Sequence, residues 1–221
     1  MNKTQSEAEF EGTEEVWLAA EKLVSPRAVE REEALDYLVE QGALAKSPLI
    51  AYLLATRLSD PDLEVRCHMV KALGDVLTSG EQGEQLPDPV LRQLQDFLAY
   101  LNKEQILDLL EVSEQYLSAE ESLIEIFKLC SYAGNVVSGI VNDRKILLGI
   151  RQKAIYFCGE AGFLETTSTL QVLVMRIEKR NQVLRKFPLR KNTRDENQLY
   201  PYAVAALEKL GQGPSAGREK V

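Results

Sequence analysis

Residues Ser47 to Leu77 read SPLIAYLLATRLSDPDLEVRCHMVKALGDVL. Leu49, Ile50, Leu53, Leu54 and Leu58 recur at helical spacing and form one broad apolar stripe. Ser47 followed by Pro48 is the usual order of an N-cap and a first helical residue. Ser59-Asp60-Pro61-Asp62 stops this helix, and Val65, Met69, Leu73 and Val76 begin a second stripe. Two antiparallel helices joined by a tight Asp-Pro turn make a helical hairpin.

The same pairing extends in both directions. The periodicity predicts helices at 13–24 and 26–41, 47–58 and 62–78, 88–101 and 103–117, 119–132 and 144–161, and 163–187 and 197–210. Ser25-Pro26, Ser47-Pro48, Asp60-Pro61 and Pro87-Asp88-Pro89 stand where helices should begin, and Gly211 follows the last helix as a C-cap would. Alternating β-branched runs closed by Asn-Gly or Asp-Gly are absent from the sequence, so the class is all-α. Residues 1–11, an acidic tail, and 211–221 lack apolar pattern and are expected to be disordered. Between them, residues 12–210 read as one domain of five hairpins, with a longer basic loop near 181–197.

Within the second helix of the 47–78 hairpin runs Val65-Arg66-x-x-Met69-x-x-Ala72-Leu73-Gly74. It recurs as Ile150-Arg151-x-x-Ala154-x-x-Phe157-Cys158-Gly159, and earlier as Arg31-x-x-Ala34-x-x-Tyr37-Leu38 with Glu30 in the leading place. Ala203-x-x-Ala206-Leu207 keeps its end, whereas Ile106 and Leu110 follow it loosely. A hairpin of this size cannot bury its apolar face alone, so neighbours must stack. The proline opening the first helix, the Asp-Pro-Asp turn, then Val-Arg and Ala-Leu-Gly, resemble the HEAT-repeat family of armadillo-type helical proteins.

That resemblance implies a right-handed α-α superhelix, an α-solenoid, of about five HEAT-like hairpins. It also implies that Asp60 or Asp62 and Arg66 hydrogen-bond between adjacent repeats, and that Arg151 does likewise, with Asp143 its nearest candidate partner. Gly74 and Gly159 are further repeat positions. The departures at Glu30 and Leu107 disturb the pattern in the first and third repeats.

Composition sets the bounds. Hydrophobic residues make up 45% and charged residues 27%, ordinary for a globular protein, and the net charge is −8. An average charge of that sign disfavours nucleic acid as a default partner, because phosphates repel it. Cys67, Cys130 and Cys158 stand far apart and form no CxxC pair, as free thiols in a reducing cytoplasm do. Cys67 beside His68 looks like half a metal site, but zinc needs three or four ligands and the chain has one histidine, so no metal is expected. The polar, acidic opening MNKTQSEAEFEGTEE is unlike a signal peptide, and no apolar run approaches the roughly 18 residues of a membrane span.

Charge is unevenly spread. Residues 1–40 hold eleven acids against four bases, and residues 144–194 hold twelve bases against three acids. The basic stretch supplies candidate partner-binding residues Arg176, Arg180, Arg185, Lys186, Arg190 and Lys191, and a long loop projecting from a repeat protein is a common place for them. In proteins of the resembled family the second helices line the concave face. Repeat offset then places Glu33, Asp36 and Glu40, next His68, Lys71 and Asp75, and finally Lys153, Tyr156 and Glu160 along that face. Ordinary charge scatter with a solvated loop is the plain alternative.

No Gly-rich phosphate loop, Walker pattern or GxSxG elbow occurs, and His68 has no nucleophile at a motif spacing, so neither cofactor nor catalytic residue is expected. The expected function is a non-catalytic cytoplasmic scaffold binding another protein, an acidic one suiting the basic loop. Nucleic acid or another polyanion on residues 144–194 is the alternative. An enzyme or enzyme-helper, such as a HEAT-like lyase, ranks behind both.

Overall fold

The computed structural model describes residues 14–79, 86–186 and 194–211, and every regular element among them is helical. In chain order these are α1 (Glu14–Lys22), α2 (Ala28–Glu40), α3 (Ala43–Lys46), α4 (Pro48–Thr56), α5 (Leu63–Ser79), α6 (Asp88–Leu98), α7 (Lys103–Gln115), α8 (Glu120–Leu129), α9 (Ala133–Asn142), α10 (Leu148–Glu160), α11 (Thr167–Lys186), α12 (Arg194–Asn197) and α13 (Tyr200–Lys209). Short 3₁₀ turns at Arg57–Ser59, Leu117–Ala119 and Leu164–Thr166 link successive helices. No helix among the described residues is long and apolar enough to cross a membrane. The predicted tails lie outside the described residues, apart from Gly211, whose φ of 70° suits a residue without Cβ just past α13.

Local chemistry sets the helix ends. The Ser47 hydroxyl accepts from the Ile50 amide at 3.4 Å with Pro48 at the first helical position, as its sequence predicts. At α5 the Asp62 carboxylate accepts from the Glu64 and Val65 amides at 2.9 and 3.2 Å. Asn102 and Gln105 form a reciprocal capping box at α7, at 3.0 and 2.9 Å.

Packing makes one continuous core from Val16 to Leu210. Helix α1 lies on α2, α2 on α5, α5 on α8, α4 on α6, α9 on α10, and α13 covers both α10 and α11. Val65, Met69, Ile150 and Ala154, which phase the repeated pattern, are all buried. Phe127 meets Phe157 at 4.9 Å and Phe163 at 6.2 Å between ring centres, tying α8, α10 and the turn before α11 together. Truncating a fully buried leucine such as Leu54 or Leu73 to alanine should cost about 2–5 kcal/mol.

Two expectations about pairing need correction. Of residues 133–143, expected as a connection, 133–142 form α9, and it is α9 rather than α8 that pairs with α10. Gly134, Asn135, Ser138 and Gly139 lower the helix propensity there, yet Ala133, Val137, Ile140 and Val141 supply a buried stripe that outweighs it. A Cβ at Gly134 would meet only the outer atoms of the exposed Glu165 side chain, which can swing aside. Nor do residues 88–101 and 103–117 form a closely packed hairpin. The narrow stripe of α6, Val90, Leu94 and Leu98, faces α4, where Tyr52 and Phe97 meet edge to face at 5.6 Å. Helix α7 turns instead to α5, α9 and α10.

Corresponding residues of the repeated pattern do corresponding things. Gly74 of α5 is the close approach to α8, where a Cβ would meet the Ser122 Cα at 2.5 Å. Gly159 of α10 is the close approach to α13, where a Cβ would meet the Ala206 Cα at 2.9 Å. Arg31, Arg66 and Arg151 are all buried and all reach forward to acids in later elements. Arg31 donates from Nε to Asp60 Oδ2 at 2.7 Å and from Nη2 to Oδ1 at 2.6 Å. Arg66 donates to Asp108 at 2.9 Å and Glu111 at 2.7 Å, both on α7.

Candidate functional site

The third of these arginines leads to the most unusual charge arrangement in the described residues. Arg151 stands in the first turn of α10 and donates from Nε to the Val141 carbonyl at 2.9 Å. Its Nη2 lies 3.7 Å from Glu196 Oε1, and Glu196 on α12 is buried. Asp143, its expected partner, is engaged elsewhere: it accepts from the Lys145 amide at 3.0 Å and from Lys103 Nζ at 3.3 Å. Those two donors hold its carboxyl below the usual range. Helix α10 begins at Leu148, so Asp143 belongs to the turn after α9 and Arg151 points past it to α12.

Glu196 gathers three more arginines. Arg144, in the turn after α9, donates from Nε to Oε1 at 2.9 Å and from Nη2 to Oε2 at 3.3 Å. Arg176 and Arg180 stand one turn apart on α11. Arg180 Nη1 donates to Oε2 at 2.8 Å, its Nη2 donates to Asn197 Oδ1 at 3.1 Å, and Arg176 Nη2 lies 3.9 Å from Oε1. Burial opposes ionisation of Glu196, but Arg180, Arg176 and Arg144 overcome it and hold the carboxyl below its ordinary value. For Arg151, burial and the like charges of Arg176 and Arg144 outweigh Glu196, and its pKa falls. Four guanidinium groups thus converge on the Glu196 carboxylate, and Arg151 Nη2 and Arg176 Nε and Nη2 are buried with no hydrogen-bond acceptor among the described residues.

Of the partner-binding candidates, Arg176 and Arg180 therefore belong to this cluster. Lys153 is half-buried and paired with Glu120 on α8. Tyr156 lies edge-on to Phe157 with Lys209 Nζ 6.0 Å from its ring centre, and burial with Glu160 and Glu120 nearby raises its phenol. Arg185 and Lys186 end α11, their side chains outside the described part, and Arg190 and Lys191 lie outside the described residues altogether. The loop expected near 181–197 is shorter than its composition suggests, because 181–186 continue α11 and 194–197 form α12. Leu170, Leu173, Val174 and Ile177 anchor α11 in the core, and no Gly or Pro interrupts it before Pro188.

Along the second-helix face, Glu33, Asp36, Glu40 and Asp75 are exposed, while Glu160 is tied to Lys209. His68 Nδ1 lies 3.3 Å from Glu32 Oε1, and with Glu64 these make a group whose potential ligand atoms sit within 4.8 Å of one another. Cys67, the ligand considered beside His68, is buried and outside that group. Glu196 carries little signal in the sequence: it follows Asp195 at the end of the basic stretch 144–194 and has the opposite sign. No protein-family model matches this sequence, and the comparisons with curated proteins and with solved structures found no match either.

Proposed function

We propose that the chain is a non-catalytic α-solenoid of the HEAT type that serves as a scaffold for another protein. The observation that carries this reading is the repetition of one device: an arginine in the first turn of α2, α5 and α10 ion-paired to an acid of a later element. A glycine at the same place after that arginine in α5 and in α10, Gly74 and Gly159, lets α8 and α13 come close. Stacked hairpins need a lateral link and a close seam at each step, and a stack of this kind presents a long row of second helices to a partner. That row runs from exposed Glu33, Asp36 and Glu40 on α2 to half-buried Lys153 and Tyr156 on α10.

Binding is favoured over catalysis on chemical grounds. Burial pushes the Cys130 and Cys158 thiols up to about 12, which disarms them as nucleophiles at neutral pH. His68 is held by Glu32. Nucleic acid is the weaker alternative, since Arg144, Arg176 and Arg180 turn toward Glu196 instead of forming an open basic stripe.

The test uses the whole chain as bait in extract of its own cells, beside a variant carrying Glu33→Lys, Asp36→Lys and Glu40→Lys. These exposed positions change charge without touching the core. A discrete protein retained by the first and lost from the second is the expected result. Retention of identical proteins by both, or retention of nucleic acid that falls steeply with salt, would overturn the reading.

A further inference from the structure

Guanidinium groups crowded around a single carboxylate call for a further acceptor. Around Glu196 the described residues place the guanidinium groups of Arg144, Arg151, Arg176 and Arg180, and the first three alone bring two positive charges more than the one carboxylate neutralises. Arg151 is only 4% exposed, yet its Nη2 has no hydrogen-bond acceptor, and Arg176 leaves Nε and Nη2 in the same condition. A buried N–H without an acceptor loses its water and gains nothing, and native proteins rarely tolerate several together.

Geometry says what would fit. Arg151 Nη2 and Arg176 Nη2 both lie within 4 Å of one oxygen, Glu196 Oε1, at 3.7 and 3.9 Å. A small tetrahedral oxyanion seated beside that oxygen reaches both donors at once. Arg144, the most exposed member of the group, and Arg176, which is partly exposed, leave it a way in. A carboxylate would cancel one of these two surplus charges, whereas a phosphate dianion cancels both and offers three acceptor oxygens to guanidinium forks. Glu196 Oε1 repels such a ligand, but its own charge is already outnumbered.

We propose that Arg144, Arg151 and Arg176, assembled around Glu196 with Arg180, form a binding site for a phosphate dianion. The ligand is either free phosphate or the phosphate ester of a phosphorylated side chain, since both present the same group. This inference stands on the cluster alone and does not depend on the repeat-scaffold reading.

The experiment titrates the full-length chain with inorganic phosphate, followed by calorimetry and thermal melting, against potassium chloride at matched ionic strength. Binding by phosphate beyond the chloride control is the expected result, and Arg176→Gln or Arg144→Gln weakens it about tenfold or more while leaving the far-UV circular dichroism unchanged. In Glu196→Gln, which removes the competing carboxylate, the melting temperature should become more dependent on phosphate than in the wild type. A phosphoserine peptide and its unphosphorylated twin form the second arm. Preference for the phosphorylated twin over inorganic phosphate assigns the ester as ligand, and equal affinity assigns free phosphate. A wild-type chain indifferent to phosphate, or glutamine variants that bind it as well as the wild type, overturns the inference. Phosphate binding without any retained protein partner would leave this site standing and remove the scaffold reading instead.

Discussion

Removing Asp60 should cost the molecule far more than removing a surface acid. Its two oxygens receive Arg31 Nε and Nη2 at 2.7 and 2.6 Å, and Oδ1 also accepts from the Asp62 amide at 2.9 Å. The side chains are 6% and 1% exposed, so water cannot replace either partner. In Asp60→Ala the Arg31 guanidinium keeps one bond, from Nη1 to the Ser25 carbonyl at 2.8 Å, and is otherwise stranded. An exposed ion pair is worth about 0–1 kcal/mol, whereas breaking a buried one by truncating one partner costs about 3–5 kcal/mol. The Arg31 pKa is raised, chiefly by its hydrogen bond to Asp60, which agrees in sign with a pair that stabilises its charged form. Since the Asx turn to Asp62 is lost as well, we expect about 3 kcal/mol or more. Arg31→Met should cost a similar amount, because Asp60 is then a buried charge with the Asp62 amide but no cation to pair with. The double variant removes both charges, so its loss should fall short of the sum of the singles by about 2 kcal/mol, a coupling typical of residues in one network. Urea unfolding of the four proteins, followed by circular dichroism, measures the cycle. Singles costing under about 1 kcal/mol, or losses that simply add in the double variant, would refute this account of how α2 is joined to the turn before α5.

Other consequences are quicker to check. Cys130 and Cys158, with thiols pushed up to about 12 by burial, should resist a maleimide at neutral pH until the protein is unfolded, and Cys67 should label before them; rapid labelling of native Cys158, read by mass spectrometry, would contradict their burial. The Glu196 carboxyl titrates below its unfolded value, so the stability it contributes is complete above that value, about pH 4.3, and is lost as pH falls through the lower, folded one. The stability gap between wild type and Glu196→Gln should therefore narrow on acidification below about pH 4.3; a gap constant through that window, by urea titration, would exclude the ionised pairings of Glu196 as its source.

Helix existence was legible wherever periodicity and punctuation agreed. Ser47-Pro48 and Asp60-Pro61-Asp62 mark α4 and α5 within a residue or so, because capping and proline geometry are local properties. The buried state of Val65, Met69, Ile150 and Ala154 also followed from spacing alone. Partnership between helices did not. Whether α6 lies on α7 or on α4 depends on which neighbour matches its narrow stripe, a property of the assembled surfaces that no window of sequence contains. Helix α9 was hidden by Gly134 and Gly139, residues that usually end helices and here sit within one whose apolar stripe is buried. The arginine cluster shows both sides of this limit. A basic bias over residues 144–194 drew attention to Arg176 and Arg180, but their convergence with Arg144 and Arg151 on Glu196 is a tertiary fact. The stretch 181–197, a loop by its composition, is helix at both ends, in α11 up to Lys186 and in α12 from Arg194.

Hydrogen exchange on a single seam variant reaches the centre of the matter. In Gly74→Val the new side chain collides with the Ser122 Cα and Cβ and forces α5 from α8. If neighbouring hairpins hold one another in a line, amide protection should fall most in α4 to α8, and fall progressively less toward α11 and α13. Loss of protection to the same degree from α1 to α13 would mean a single all-or-none domain and would contradict the stack.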